Sequence, residues 1–336
     1  MDDQPVGGIE RAVFGDVTAD QIADWLARHV RRRLAQNVQA VVFRSGRLAA
    51  VYGVRLDDGT DIVAKVHRRP ADVRRLRAAT ACQQILAAHG FPCPRPLDGP
   101  ASTDGLVAVL ESQLDRGEPG DAHQPAIRRA MAQALADQIE ILRVARSAMA
   151  ALAEPPAWAD YEGGPWPVPH DPIFDFTTTP AGFTWLDRLA QAATDALGPR
   201  PAPDAIAHSD WECQNVRFSA GSAGQVSAVY DWDSLLAHSE PILAGIAAGH
   251  YTQGSVHGAG APTPDEVAAF LAEYEAACRR PFSAAQRAAA VAAATWVLAY
   301  NARCGLNVQA LGFPTAAGSA LEMLARHGQA YLALRW

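Results

Sequence analysis

The chain has 336 residues, 49% of them hydrophobic and 19% charged, with a formal net charge of -7. That length suits about two domains with a substantial core, and the balance excludes a disordered polar chain. The acidic surplus also argues against a nucleic-acid partner, which would need a basic surface.

Five cysteines, Cys82, Cys93, Cys213, Cys278 and Cys304, are scattered without a C-x-x-C pair or zinc spacing, and read as reduced thiols. The acidic start MDDQPVGGIE lacks the apolar core of a secretory signal, so a cytoplasmic location is expected. The longest apolar run, Ala288 to Tyr300, is too short to span a bilayer, and no membrane partner is expected.

In chain order, Thr18 to Gln36 carries Ile22, Trp25, Leu26 and Val30 at helical spacing and predicts an opening amphipathic helix. The Val-rich runs VQAVVFR, LAAVYGVRL and DIVAKVH follow, separated by the turn signals Ser45-Gly46 and Asp57-Asp58-Gly59, and predict an antiparallel sheet. Lys65 stands in the third run, among apolar neighbours able to hold its ammonium inside a cleft. Ala71 to His89 reads as a helix, ended by Gly90 and the FPCPRP run. That helix has no acidic residue after Asp72, and Gln83 falls on its apolar side with Leu76 and Ala79. LVAVLESQL then predicts a further strand.

From Pro125 onward the pattern is mostly helical, beginning with the long periodic run AIRRAMAQALADQIEILRVARSAMAAL. Glu154 to Gly182 breaks it with a loop dense in proline, glycine and aromatics. Trp158, Tyr161, Trp166, Phe174 and Phe176 stand there beside Asp160, Glu162, Asp171 and Asp175. Such a loop is either functional or stapled to the core by its rings. Further helices are expected over LLAHSEPILAGIAAGHY, Pro264 to Arg279, Ala284 to Tyr300 and Ala316 to Leu334. Glu266, Glu273 and Glu275 lie off the apolar stripe of the second of these and should be exposed.

The most informative stretch is Ile206 to Ser234, IAHSDWECQNVRFSAGSAGQVSAVYDWDS. Asp210 and Asn215 are followed by a short β-like segment, a polar turn and a second apolar run ending in Asp231. If the two runs pair, these three side chains converge. Phosphoryl transfer needs such a set: a carboxylate for the acceptor hydroxyl, and hard oxygen ligands for Mg²⁺ on the phosphates. Trp211 and Glu212 are candidate substrate contacts. Asp233 either caps the following helix or adds a carboxylate to the site.

His208-Ser209-Asp210 with Asn215, followed by Asp231-Trp232, resembles the catalytic loop and metal motif of the aminoglycoside phosphotransferase type of small-molecule kinase, distant relatives of protein kinases. The resemblance implies an α+β, two-lobed protein-kinase-like fold with a small antiparallel-sheet N-lobe and a larger, mostly helical C-lobe. Residues 1–114 would form the nucleotide-binding N-lobe, 115–120 the hinge, and 121–336 the C-lobe with the catalytic loop and acceptor site. Asp210 is then the catalytic base, and Asn215 and Asp231 are the metal ligands. Lys65 would meet the α- and β-phosphates, the turn at Ser45 and Gly46 would lie over them, and the backbone from Glu111 to Gln113 would face the purine edge. In protein kinases a helix glutamate pairs with the lysine, and here Gln83 is the group offered in its place. The aromatic loop would be an acceptor lid.

The function so implied is ATP- and Mg²⁺-dependent transfer of the γ-phosphate to a hydroxyl of a small molecule, with GTP left open as the nucleotide. A metabolic kinase of the same fold, acting on an amino alcohol or sugar, is a second reading. A catalytically silent nucleotide-binding regulatory protein is a third.

Overall fold

The computed structural model describes residues 5–220, 224–256, 260–278, 280–314 and 316–336. Residues 1–4 of the acidic start, 221–223 of the polar turn and Arg279 at the end of a predicted helix lie outside the described residues. The chain divides into two compact units, one ending at Asp115 and the other beginning at Arg116.

In the first unit, α1 (Gly8–Phe14) and α2 (Ala19–Leu34) precede β1 (Val38–Ser45), β2 (Ala49–Leu56) and β3 (Asp61–His67). Then come α3 (Val73–Ala88), β4 (Pro96–Thr103) and β5 (Leu106–Ser112). The five strands form one antiparallel sheet in the order β1-β2-β3-β5-β4. Thr18 starts α2 through reciprocal bonds with Gln21, which satisfy donors the first helical turn leaves open. The stripe Ile22, Trp25, Leu26 and Val30 then packs against Tyr52, Val54, Ile62, Ala64, Val66, Ala108 and Leu110. Strand alternation therefore commits Ile62, Ala64 and Val66 to this core and turns Val63 and Lys65 to the opposite face of the sheet. Two elements were not foreseen. Helix α1 is too short for periodicity to register, and β4, with the sequence PLDGPAST, pairs with β5 through a ladder with two register shifts.

The second unit holds α4 (Pro125–Leu142), α5 (Met149–Leu152), α6 (Thr184–Leu197), α7 (Glu240–His250), α8 (Pro264–Cys278), α9 (Ala284–Ala310) and α10 (Ala320–Leu332). Between α6 and α7 lie β6 (Ala205–His208), β7 (Val216–Phe218), β8 (Val226–Val229) and β9 (Leu235–His238), paired as β6 with β9 and β7 with β8. The core is built around α9, which packs against α6, α7 and α10. Two predicted helices need correction. The run from Ala126 stops at Leu142 and resumes only as the single turn α5. The stretch beginning at Leu235 is first a strand, fully buried and paired with β6, and becomes helical only at Glu240. Ser239 stands at the N-cap position of α7, so Asp233 does not cap that helix.

Candidate active site

Strands β7 and β8 pair antiparallel with Val216 opposite Val229, and the amide of Tyr230 donates to the carbonyl of Asn215 at 2.9 Å. This pairing sets Asn215 beside the segment that carries Asp231. The Asn215 amide nitrogen donates to the Asp210 carbonyl at 3.0 Å and to Asp210 Oδ2 at 3.1 Å. With its nitrogen so engaged, Asn215 has its Oδ1 as the atom that could serve a metal as a neutral oxygen ligand. Asp231 is a non-glycine residue at φ 67° and ψ 45°, in the left-handed region. Such a conformation persists only where the surroundings impose it, and it aims the side chain rather than favouring the backbone. The donor set of Asn215 and Asp231 is all oxygen, which fits Mg²⁺.

The loop between these residues is held from beneath. His208, 1% exposed, donates from Nε2 to the Tyr230 carbonyl at 2.8 Å and packs edge-on against Trp211 and Trp232. Ser209 donates from both its amide and its hydroxyl to the Ser234 carbonyl. The amides of Cys213 and Gln214 donate to the carbonyls of Tyr251 and Gln253, just past α7. Gly254 lies so close that a Cβ there would fall 2.3 Å from Gln214 Cβ, and its φ of +77° is one only glycine adopts freely. Carboxylate and imidazole atoms of Asp210, Glu212 and His250 gather within 4.8 Å of one another. Burial pushes the His250 pKa down to about 3, so the imidazole is neutral and its 3.9 Å approach to Glu212 is not an ion pair. Glu212 instead accepts from Gln214 Nε2.

In the first unit, Lys65 is half-buried on β3 opposite Val109 of β5. Ser45 ends β1, and Gly46 begins the turn at φ +124°, where a Cβ would fall 1.9 Å from the Ala49 carbonyl oxygen. Glu111 sits in the inner strand β5, facing Val63 on one side and Pro96 on the other. The amides of Ser112 and Gln113 donate to the carbonyls of Arg95 and Asp61.

A family model described as the phosphotransferase enzyme family matches residues 39–237, from β1 through β9. The chain belongs to that family. Solved structures agree with this phosphotransferase at the level of fold. An amicoumacin kinase in complex with AMP-PNP, Ca²⁺ and Ami matches with a TM-score of 0.59 and 12% identity, over 87% of this chain and 88% of that one. A spectinomycin phosphotransferase in complex with ADP and spectinomycin matches with a TM-score of 0.57 and 14% identity, over 94% and 99%. The macrolide 2'-phosphotransferase of Brachybacterium faecium matches with a TM-score of 0.51 and 18% identity, over 94% and 99%. No curated protein matches at a significant level. The fold is thus the protein-kinase-like α+β one of small-molecule phosphotransferases.

Several expectations for this phosphotransferase are revised by burial. Trp211 is fully buried and Glu212 is 6% exposed, so neither is an open substrate contact. The aromatic loop is stapled down. Tyr161 is 5% exposed, with its hydroxyl 3.3 Å from His238 Nε2. Trp166 donates to Asp187 of α6 at 2.7 Å, and His170 meets the Tyr300 hydroxyl of α9 at 2.6 Å. The loop acids are likewise engaged: Asp160 and Glu162 pair with Arg200, while Asp171 and Asp175 accept from amides of their own turns. Glu266, Glu273 and Glu275 of α8, expected to be exposed, are half-buried and pair with His123, Arg128 and Arg287.

One sequence signal was overlooked. Among 29 basic residues counted as lysine or arginine, Lys65 is the only lysine. Arginine and lysine are not interchangeable where a compact, mobile point charge must meet phosphate. A chain that uses arginine everywhere else and lysine here marks this position as chemically constrained. A further contact was not legible at all: Trp158 of the aromatic loop donates to the Ser209 carbonyl at 3.3 Å, tying that loop to the residue before Asp210.

Proposed function

We propose that this phosphotransferase uses Mg²⁺ and ATP to phosphorylate a hydroxyl group of a small molecule. The observation that carries this reading is the junction of Asp210, Asn215 and Asp231, built by the Asn215 side-chain bonds to Asp210 and by the Tyr230 amide bond to the Asn215 carbonyl. In the proposed roles, Asn215 Oδ1 and the Asp231 carboxylate hold the metal, which when bound neutralises phosphate charge. Asp210 orients the acceptor hydroxyl and takes its proton as the new O–P bond forms. The bond from the γ-phosphorus to its bridging oxygen breaks, and the negative charge leaves on ADP. Lys65 meets the α- and β-phosphates, the turn at Ser45 and Gly46 covers them, and the strand end from Glu111 to Gln113 faces the base. Residues up to Asp115 would serve the nucleotide, and those from Arg116 the acceptor and the chemistry.

The acceptor reading follows from the loop over residues 154–182. Its acids Asp160, Glu162, Asp171 and Asp175 are already committed to Arg200 and to their own turns, so ring contact, led by Trp158 next to the catalytic loop, supports recognition better than a cage for a cation. An antibiotic-like acceptor and a metabolic amino alcohol or sugar are the two classes to test. Among the described residues no helix is long and apolar enough to cross a membrane, and we place the activity in the cytoplasm.

The roles of the two aspartates separate by titration of nucleotide with and without Mg²⁺. Asp231→Asn should weaken Mg²⁺-dependent binding by at least about tenfold, or ~1.4 kcal/mol. Asp210→Asn should leave it near the wild-type value while abolishing transfer. Equal loss of nucleotide affinity in both variants contradicts the assignment.

A further inference from the structure

Helix α3 spans Val73–Ala88 with arginine, alanine and glutamine but no acid, so it offers no carboxylate to Lys65. The residue on its buried side, Gln83, is 3% exposed and its amide does not wait for a lysine. Gln83 Nε2 donates to the Pro94 carbonyl at 2.8 Å and to Glu111 Oε2 at 2.9 Å. An amide bond to a carboxylate is charge-assisted and fixes where that carboxylate points.

The sheet register shows what it points beside. Lys65 faces Val109 across the β3–β5 ladder, and Val63 faces Glu111. Cross-strand partners share a face, and Ile62, Ala64, Val66, Ala108 and Leu110 fill the core on the other side. Lys65 and Glu111 therefore stand on the same face as diagonal neighbours, a separation of roughly 7–8 Å between backbones that a long side chain spans. Cys93 reports the same carboxylate from the α3 side: burial, and then the charge of Glu111, push its thiol up to about 12.

We propose that Glu111 is the positioning residue for Lys65, supplying from strand β5 the anionic partner that α3 lacks, with Gln83 holding the carboxylate in place. A half-buried ammonium keeps its proton and its direction when a fixed carboxylate stands beside it. The consequence differs from that of a helix-borne acid. A helix-borne acid moves with its helix, whereas this carboxylate stays on an inner strand and α3 supplies only the Gln83 amide that orients it. Glu111 thus acts on the phosphates only through Lys65. The inference rests on the phosphotransferase reading for the purpose of that alignment, but the pair itself does not.

Because Lys65 is the only lysine, the test reads it directly. Reductive ¹³C-methylation keeps the charge and labels Lys65 and the terminal amine alone, and NMR titration then gives the Lys65 pKa in the intact chain without nucleotide. Glu111→Gln should lower that pKa by about 1 unit or more, the usual effect of removing a nearby opposite charge. It should also cut kcat about tenfold or more with a smaller change in the KM for ATP, while the melting temperature monitors folding. Gln83→Glu placed in the Glu111→Gln background returns an acid to the cluster and should restore the Lys65 pKa and much of kcat. An unchanged Lys65 pKa in Glu111→Gln overturns the proposal, and so does a lowered pKa that the second substitution fails to raise. Addition of Mg²⁺ and ATP to the labelled wild type is the separate arm. A Lys65 signal that does not move there counts against the nucleotide reading and leaves the result on the pair standing.

Discussion

Asp231→Asn should impair the protein's chemistry without harming its fold. Asp231 sits at φ 67° and ψ 45°, a conformation that costs an ordinary side chain about 1 kcal/mol and that asparagine tolerates well. The substitution keeps the side-chain shape and removes one negative charge from a segment that also carries Asp233. The Ser234 hydroxyl lies 3.4 Å from Asp231 Oδ2, too long for a strong bond, so its change adds little. The balance is a stability equal to wild type or higher by up to about 1 kcal/mol, against the loss of about 1 kcal/mol typical of point substitutions. Asp231→Ala serves as the control, because alanine meets the full left-handed cost and should fall about 1 kcal/mol below asparagine. Urea denaturation of the three proteins gives the order, and transfer should be lost in both variants. An asparagine variant that is clearly destabilised yet still transfers phosphate would refute the reasoning.

Burial holds His238 near pKa 4 and His250 near 3, both neutral at pH 7, against about 6.5 in an unfolded chain. Their contribution is therefore fully present above pH 6.5 and is lost as pH falls toward 4, where the unfolded chain binds protons that the folded chain refuses. Unfolding free energy measured from pH 7.5 to 5 should fall by up to ~1.4 kcal/mol per pH unit for each histidine, and a flat profile contradicts their burial as neutral groups. Cys213 is 1% exposed, its Sγ lies 3.3 Å from the Gly120 carbonyl and burial raises its pKa, so maleimide should label only the half-exposed Cys278 and Cys304 in the folded protein. Mass spectrometry showing a Cys213 adduct without unfolding would be evidence against that packing. Tyr161→Ala should cost about 3–5 kcal/mol as a buried ring, and a variant that melts like wild type would return Tyr161 to the role of a free lid residue.

The sheet of the first unit was legible because Val-rich alternation and the turns at Ser45-Gly46 and Asp57-Asp58-Gly59 agree with each other. Strand β4 was not, since Pro96, Gly99 and Pro100 are turn residues and only the edge position beside β5 lets them serve in a ladder. Leu235–His238 read as helix because a fully buried run carries no alternation to betray a strand, and its partner β6 lies far back in the chain. Helix α9 runs to Ala310 rather than to Tyr300, since Asn301 and Gly305 weaken the local signal while buried Ala302, Arg303 and Leu306 keep the helix on the core. At the site, the spacing of Asp210, Asn215 and Asp231 was readable from the chain, but their supports were not. His208 on the Tyr230 carbonyl, Gly254 under Gln214 and Trp158 on the Ser209 carbonyl are tertiary contacts with no local pattern. The single lysine was readable, as a matter of counting.

The central claim is that Asp210 drives phosphoryl transfer to a hydroxyl. It is tested most directly by ADP release from Mg²⁺ and ATP across a panel of hydroxyl-bearing aminoglycosides, macrolides, amino alcohols and sugars, run in parallel with wild type and Asp210→Asn. The account predicts acceptor-dependent ADP release by the wild type for one class of the panel, falling at least about a hundredfold in Asp210→Asn as expected for loss of a positioned base, with Mg²⁺-dependent ATP binding intact. Transfer that continues undiminished in Asp210→Asn, or ADP release that no acceptor changes, would contradict it.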